Sequence, residues 1–112
     1  MLIYKIFRPD EWAELRDIGQ TAGAPIDLAD GFVHFSTAEQ ARETAAKHFA
    51  GEDGLVLLAV EAEALGDALK WEVSRGGDLF PHLYAPLRLS DIAWHKPLPL
   101  VDGRHAFPDL QD

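Results

Sequence analysis

Apolar and polar positions alternate along this chain with two different periods, and the changes of period mark its elements. Leu2–Phe7 is short and almost entirely apolar, which predicts a strand. Pro9 suits the first turn of a helix, where its missing N–H goes unused. Trp12, Leu15 and Ile18 recur every three residues as one helix face, and Gly19 is the expected stop. Thr21–Asp30, with Gly23 and Pro25, reads as a loop. Phe32–Phe35 is a short strand, and the next helix starts directly at Ser36. Ser36-Thr37-Ala38-Glu39 has the form of a capping box. Ala38, Ala41, Ala45 and Phe49 line one face of that helix, which Gly51 ends.

The second half reads as strands. Leu55–Val60 is a nearly unbroken apolar run, as expected of a central strand buried on both faces. Ala62–Leu69 has room for one helical turn. Leu69, Trp71 and Val73 alternate with Lys70 and Glu72, and Gly76-Gly77-Asp78 is a turn. Phe80–Leu87 is extended but carries Pro81 and Pro86, which places it at an edge or in an irregular segment. Ile92–Leu98 is a last strand, and the tail from Pro99 to Asp112 is expected to be loose. Strands broken by two helices in the N-terminal half predict an α+β fold with a mixed, mostly antiparallel sheet.

Composition narrows the function classes. The 112 residues fit one domain, and 47% of them are apolar, enough for a real core. The absence of cysteine removes disulfides, thiolate catalysis and cysteine-bound metal, and it fits a reducing, cytoplasmic compartment. Met1–Phe7 is followed at once by Arg8-Pro9-Asp10, unlike a secretory leader, and no run reaches the length of a membrane span. The net charge of −9 and pI near 4.8 disfavour nucleic acid as a partner. Arg75, Arg88 and Arg104 are scattered. The five histidines form no short metal-ligand pair.

Three places carry candidate chemistry. In a strand, Phe32, His34 and Ser36 share one face while Val33 and Phe35 take the other, so His34 and Ser36 stand at a strand-to-helix junction. A helix start favours anions, although Glu39 brings a negative charge to the same place. The plain alternative is that Ser36 is a cap and His34 a half-buried strand residue. In Phe80-Pro81-His82-Leu83-Tyr84, an imidazole and a phenol project together and suit a hydrogen-bonded or stacked ligand. The alternative is an aromatic edge over the core. Glu72 lies opposite Trp71 and Val73, as an acid–base group or as a solvated strand glutamate.

These segments carry a resemblance. DGFVHFSTAEQARETAAKHFAGEDGLVLLAVE, LKWE and FPHLYAPL closely resemble the small bacterial proteins called domain of unknown function 952, from Ile3 to about Pro97. More distantly, His34-x-Ser36 is similar to the His-Gly-Ser/Thr element of ADP-ribosyltransferase-like folds, and that fold is what the resemblance implies. It also implies a cleft for NAD or a phosphoribosyl ligand. His34 would hold a ribose hydroxyl, Ser36 with Thr37 beside it would contact the nicotinamide amide, and Tyr84 would stack on its ring. The family's final glutamate has no counterpart after Tyr84, and Glu72 precedes it. The RNA 2′-phosphotransferase branch of that fold uses histidines and arginines, for which His82 and Arg88 are the nearest positions. The resulting expectation is a transferase or binding protein with His34, Glu72 and His82 as catalytic candidates. Ser36, Thr37, Tyr84 and Arg88 would contact the ligand. A competing expectation is a non-catalytic module that docks a protein partner through the Phe80–Pro86 edge.

Overall fold

The computed structural model describes residues 1–111, the side chain of Arg75 excepted. Its elements in chain order are β1 (Leu2–Phe7), α1 (Pro9–Ile18), β2 (Gln20–Thr21), α2 (Pro25–Asp30), β3 (Val33–His34), α3 (Ala38–His48) and β4 (Leu55–Glu61). A 3-10 segment, Ala62–Ala68, leads into β5 (Leu69–Ser74). Then come β6 (Asp78–Leu83), β7 (Leu87–Arg88), β8 (Ile92–Leu98), β9 (Leu100–Val101) and β10 (Arg104–His105). The chain is an α+β protein, and every described strand pair is antiparallel.

Two three-stranded sheets organise it, ordered β1-β4-β8 and β3-β6-β5. The first sheet is covered on both faces. Ile3, Phe7, Leu58 and Val60 pack on one side with Leu15 of α1 and with Val33, Phe35 and Leu83 of the second sheet. Tyr4, Ile6, Leu57 and Ala59 pack on the other side with Ala41 and Ala45 of α3. The apolar run in β4 is thus that of a strand buried twice over, as its sequence predicts.

Several expectations need correction. Thr21–Asp30 is not a loop throughout but holds the end of β2 and all of α2. Pro25 sits at the first helical position of α2 and Gly31 closes it with φ +85°, the Pro-first and Gly-after pattern of a short helix. Ile18 is 68% exposed, and α1 meets the first core cluster through Leu15 and Trp12. Phe80–Leu83 is not an edge but lies in β6, the central strand of its sheet. Pro81 is tolerated there because of how it pairs. Its carbonyl accepts from the Phe35 amide, and the donor it lacks would face β3 just past that strand's end. The tail is less loose than expected. β9 and β10 form a hairpin, the Tyr4 hydroxyl bonds the Gln111 backbone, and Phe107 and Leu110 cover the second core cluster. Asp112 lies outside the described residues.

The cap of α3 is displaced by one residue from the expected box. Thr37, not Ser36, is the cap. Its hydroxyl accepts from the Gln40 amide at 3.2 Å, and the Gln40 side chain accepts from the Thr37 amide at 3.0 Å. Loss of that hydroxyl leaves the Gln40 amide with only the Thr37 carbonyl, 3.1 Å away, as acceptor. Thr37→Ala is therefore expected to cost ~1 kcal/mol in urea unfolding, the usual worth of a cap. Glu39 is left as an exposed first-turn residue that takes no part in the cap.

Candidate functional site

The two sheets touch through one backbone bridge and then part. Tyr4 of β1 and Ser36 exchange both amide bonds, at 2.8 Å each. One step back along β3, the outward amide of His34 meets no strand. It donates instead to Asp27 Oδ1 at 3.0 Å. Asp27, on α2, is 1% exposed and fills the gap. Its carboxylate also accepts from the Ala24 amide at 2.7 Å, from Lys5 Nζ at 2.8 Å, and meets His34 Nδ1 at 2.6 Å. The neighbouring Gly23, at φ +108°, leaves room for this, since a Cβ there would sit 2.3 Å from Asp27 Oδ2. Burial pushes the Asp27 carboxyl up. The His34 hydrogen bond and the Lys5 charge overcome that and hold it at about 2. Burial drives Lys5 below the ordinary lysine value, against the pull of Asp27.

The acid range follows from these shifts. A carboxyl whose pKa is depressed on folding adds stability above its unfolded value, and that stability is lost as pH falls through the folded value. For Asp27 the drop from 3.8 to about 2 corresponds to roughly 2 kcal/mol, lost between about pH 5 and pH 2. Urea midpoints across that window should fall in the native chain and fall less in Asp27→Asn, which has no carboxylate to protonate.

His34 stands directly opposite His82 on β6, so the two imidazoles share a face with centroids 5.3 Å apart. His34 Nε2 lies 3.0 Å from the half-exposed Asp30 carboxylate. His82 Nδ1 lies 2.8 Å from Glu72 Oε1, and the Tyr84 hydroxyl donates to that same oxygen at 2.6 Å. The Tyr84 and His82 bonds hold the exposed Glu72 carboxyl below its usual range, and Glu72 raises the Tyr84 phenol in turn. Phe32 bridges the group. Its ring stacks on His82 at 4.2 Å and leans on His34 at 4.5 Å and on Tyr84 at 5.1 Å.

Residues from three separated segments thus form one cluster of His34, Glu72, His82 and Tyr84. A cavity of about 470 Å³ opens beside it, between α2, α3 and the parting strands. His34 and Ser36 line it, with Lys5, Arg8 and His48. Glu72, His82 and Tyr84 do not, and His82 is buried under Phe32. The cluster therefore sits beside the cavity and meets it only at His34.

The other expected residues are placed differently. Ser36 is buried, and its hydroxyl is 2.9 Å from that of Thr44, which donates onward to the Gln40 carbonyl. Thr37 is spent on the helix cap. Arg88 is not brought to the cluster: it lies in the β2–β7 ladder opposite Gln20, where its amide donates to Asp91. The docking edge expected at Phe80–Pro86 shrinks to Tyr84, Ala85 and Pro86, since Phe80–Leu83 is buried. Asp27 and Lys5 join these contacts without any local signal in the sequence, whereas Asp30 and Phe32 belong to the Asp30–Gln40 stretch that the sequence singles out around His34. Pro25 two residues before Asp27, with Gly31 after it, was the legible sign of α2.

An α+β domain of two antiparallel sheets, parted over a buried Lys–Asp pair and flanked by a histidine cluster, is the class that these features define. The chain belongs to the family described as protein of unknown function DUF952, whose model matches residues 6–95. It is 54% identical to CC0527 of Caulobacter crescentus in its crystal structure, covering 95% of this chain and 94% of that one with a TM-score of 0.90. The solution structure of CC0527 matches with a TM-score of 0.83, covering 93% and 90%. No curated protein matches the chain. Among the described residues, no helix is long and apolar enough to cross a membrane.

Proposed function

We propose that this protein binds an NAD-like or phosphoribosyl ligand in the cleft where its sheets part, as a binding protein or transferase on an ADP-ribosyltransferase-like fold. The observation that carries this reading is the place of His34, which lines the cavity where the sheets part and faces the buried His82 of the neighbouring strand, with Tyr84 and Glu72 in contact behind it. Ribose offers paired hydroxyls, for which imidazole nitrogens and carboxylates are the natural hydrogen-bond partners. Asp30 now holds His34 Nε2 at the exposed rim, and a ligand hydroxyl takes its place. Tyr84, half-exposed, offers a ring for a planar base. Lys5, Arg8, His34, His48 and the carboxylate of Asp30 line the adjoining cavity, whose volume lies within the range of small-molecule sites. Glu72 on β5 accepts from the Tyr84 hydroxyl, which supports a carboxylate role for it although it precedes Tyr84 in the chain.

Calorimetry and thermal unfolding with NAD, ADP-ribose and cyclic phosphates test the reading. A ligand at 100 times its dissociation constant raises stability by about 2.7 kcal/mol. No heat and no stabilisation with any of them at millimolar concentration would remove it.

A further inference from the structure

Strand β5 leaves one edge open. Among the described residues it pairs with β6 alone. Pro81 turns its backbone carbonyl to β3, so Phe80 and His82 turn theirs to β5, where they face Glu72 and Lys70. The N–H and C=O groups of Trp71 and Val73, with the C=O of Leu69, therefore point away from the sheet. The Leu69 amide is already held by Gly66. On one face of this edge Trp71 is 40% exposed, Val73 69%, and Leu79, opposite Val73, 52%. Lys70 and Glu72 stand on the other face, the one that carries His82. An unpaired edge with bare apolar side chains is a template for another strand.

We propose that this edge takes the β5 of a second copy of the chain, antiparallel, with Trp71 opposite Trp71 across a two-fold axis. The register follows from the outward groups, which fall on Leu69, Trp71 and Val73. Leu69 set against Trp71 puts Lys70 opposite Lys70. Trp71 set against Val73 puts Glu72 opposite Glu72. Trp71 set against itself puts Lys70 opposite Glu72 twice and Leu69 opposite Val73 twice. Registers further along leave most of the strand unpaired. Each of these registers has the two-fold symmetry of a closed dimer, and only the Trp71-centred one joins opposite charges while setting apolar against apolar. It also adds to the histidine cluster. Glu72 Oε1 serves both His82 and Tyr84, and Oε2 receives the ammonium of Lys70 from the second copy.

Sedimentation velocity from micromolar to millimolar protein tests the dimer without any ligand, so its outcome is separate from that of the binding reading. The native chain dimerises with concentration. Lys70→Glu weakens the dimer by about tenfold or more, because two attractions become two repulsions, and Lys70→Glu with Glu72→Lys restores it. Circular dichroism of each variant confirms the fold. The register is read by thiols, since the chain has no cysteine. Trp71→Cys oxidises to a linked dimer, its Cα atoms about 5.5 Å apart and within disulfide reach. Val73→Cys, displaced by four residues from its own copy, does not. A native chain that stays monomeric at millimolar concentration overturns the proposal. So does a dimer indifferent to Lys70→Glu, a charge swap that fails to restore it, or efficient linkage through Val73→Cys.

Discussion

Asp27→Ala is expected to lower the unfolding free energy by about 3–5 kcal/mol, the usual loss when one partner of a buried ion pair is removed. The size follows from what the carboxylate holds. Lys5 is buried beside it and loses its counter-charge. The Ala24 and His34 amides lose their acceptor as well, and the His34 ring loses its anchor. Each buried donor left unpaired costs about 1–3 kcal/mol by itself. Urea unfolding at neutral pH, followed by tryptophan fluorescence, gives the number. Asp27→Asn keeps an acceptor oxygen and should cost less. Lys5→Met combined with Asp27→Leu should recover part of the loss, because the stranded charge is gone, but not all of it, because the two amides remain unpaired. A loss below about 1 kcal/mol in Asp27→Ala would mean that the parted sheets are held by their apolar contacts alone.

The second large effect is on binding. His34→Ala is expected to weaken ADP-ribose or NAD binding by roughly tenfold, the worth of one hydrogen bond in a partly buried site. Tyr84→Ala should cost about tenfold through the lost stacking surface, whereas Tyr84→Phe keeps the ring and should bind nearly as well. Titration calorimetry separates these outcomes. If Tyr84→Phe fell as far as Tyr84→Ala, the phenol's bond to Glu72 would matter more than its ring. His34→Ala also removes a partner of Asp27, so its stability is measured alongside. A variant that has merely loosened loses melting temperature with or without ligand, while a binding variant loses mainly the ligand-induced part.

What the sequence made legible, and what it hid, follows one physical division. Elements with strong periodicity were readable. The face Ala38, Ala41, Ala45 and Phe49 does line α3, and the apolar Leu55–Val60 run does become a strand covered on both sides. The alternation in Leu69–Val73 was also right, but periodicity does not say which face meets water, and Trp71 and Val73 turned out to face it. Pro81 misled, because proline's usual exclusion from central strands depends on which neighbour loses the donor, and here β3 has already ended. Asp27 was hidden for another reason. Its partners Lys5 and His34 are distant in sequence, and an aspartate between Pro25 and Gly31 resembles turn chemistry. The histidines were readable as candidates because their strand parity was clear. That they face each other is a matter of register between β3 and β6, which no local pattern encodes.

The measurement closest to the central claim is a nuclear magnetic resonance titration of the labelled protein with ADP-ribose. The account expects the largest shifts in the imidazole signals of His34 and His82 and in the amides of Phe32, Asp30 and Tyr84. The amides of the β9–β10 hairpin, which lines neither the histidine cluster nor the cavity, should stay still. Saturable shifts elsewhere, with the two imidazoles unmoved, would contradict the claim that the parting of the sheets is where this protein takes its ligand.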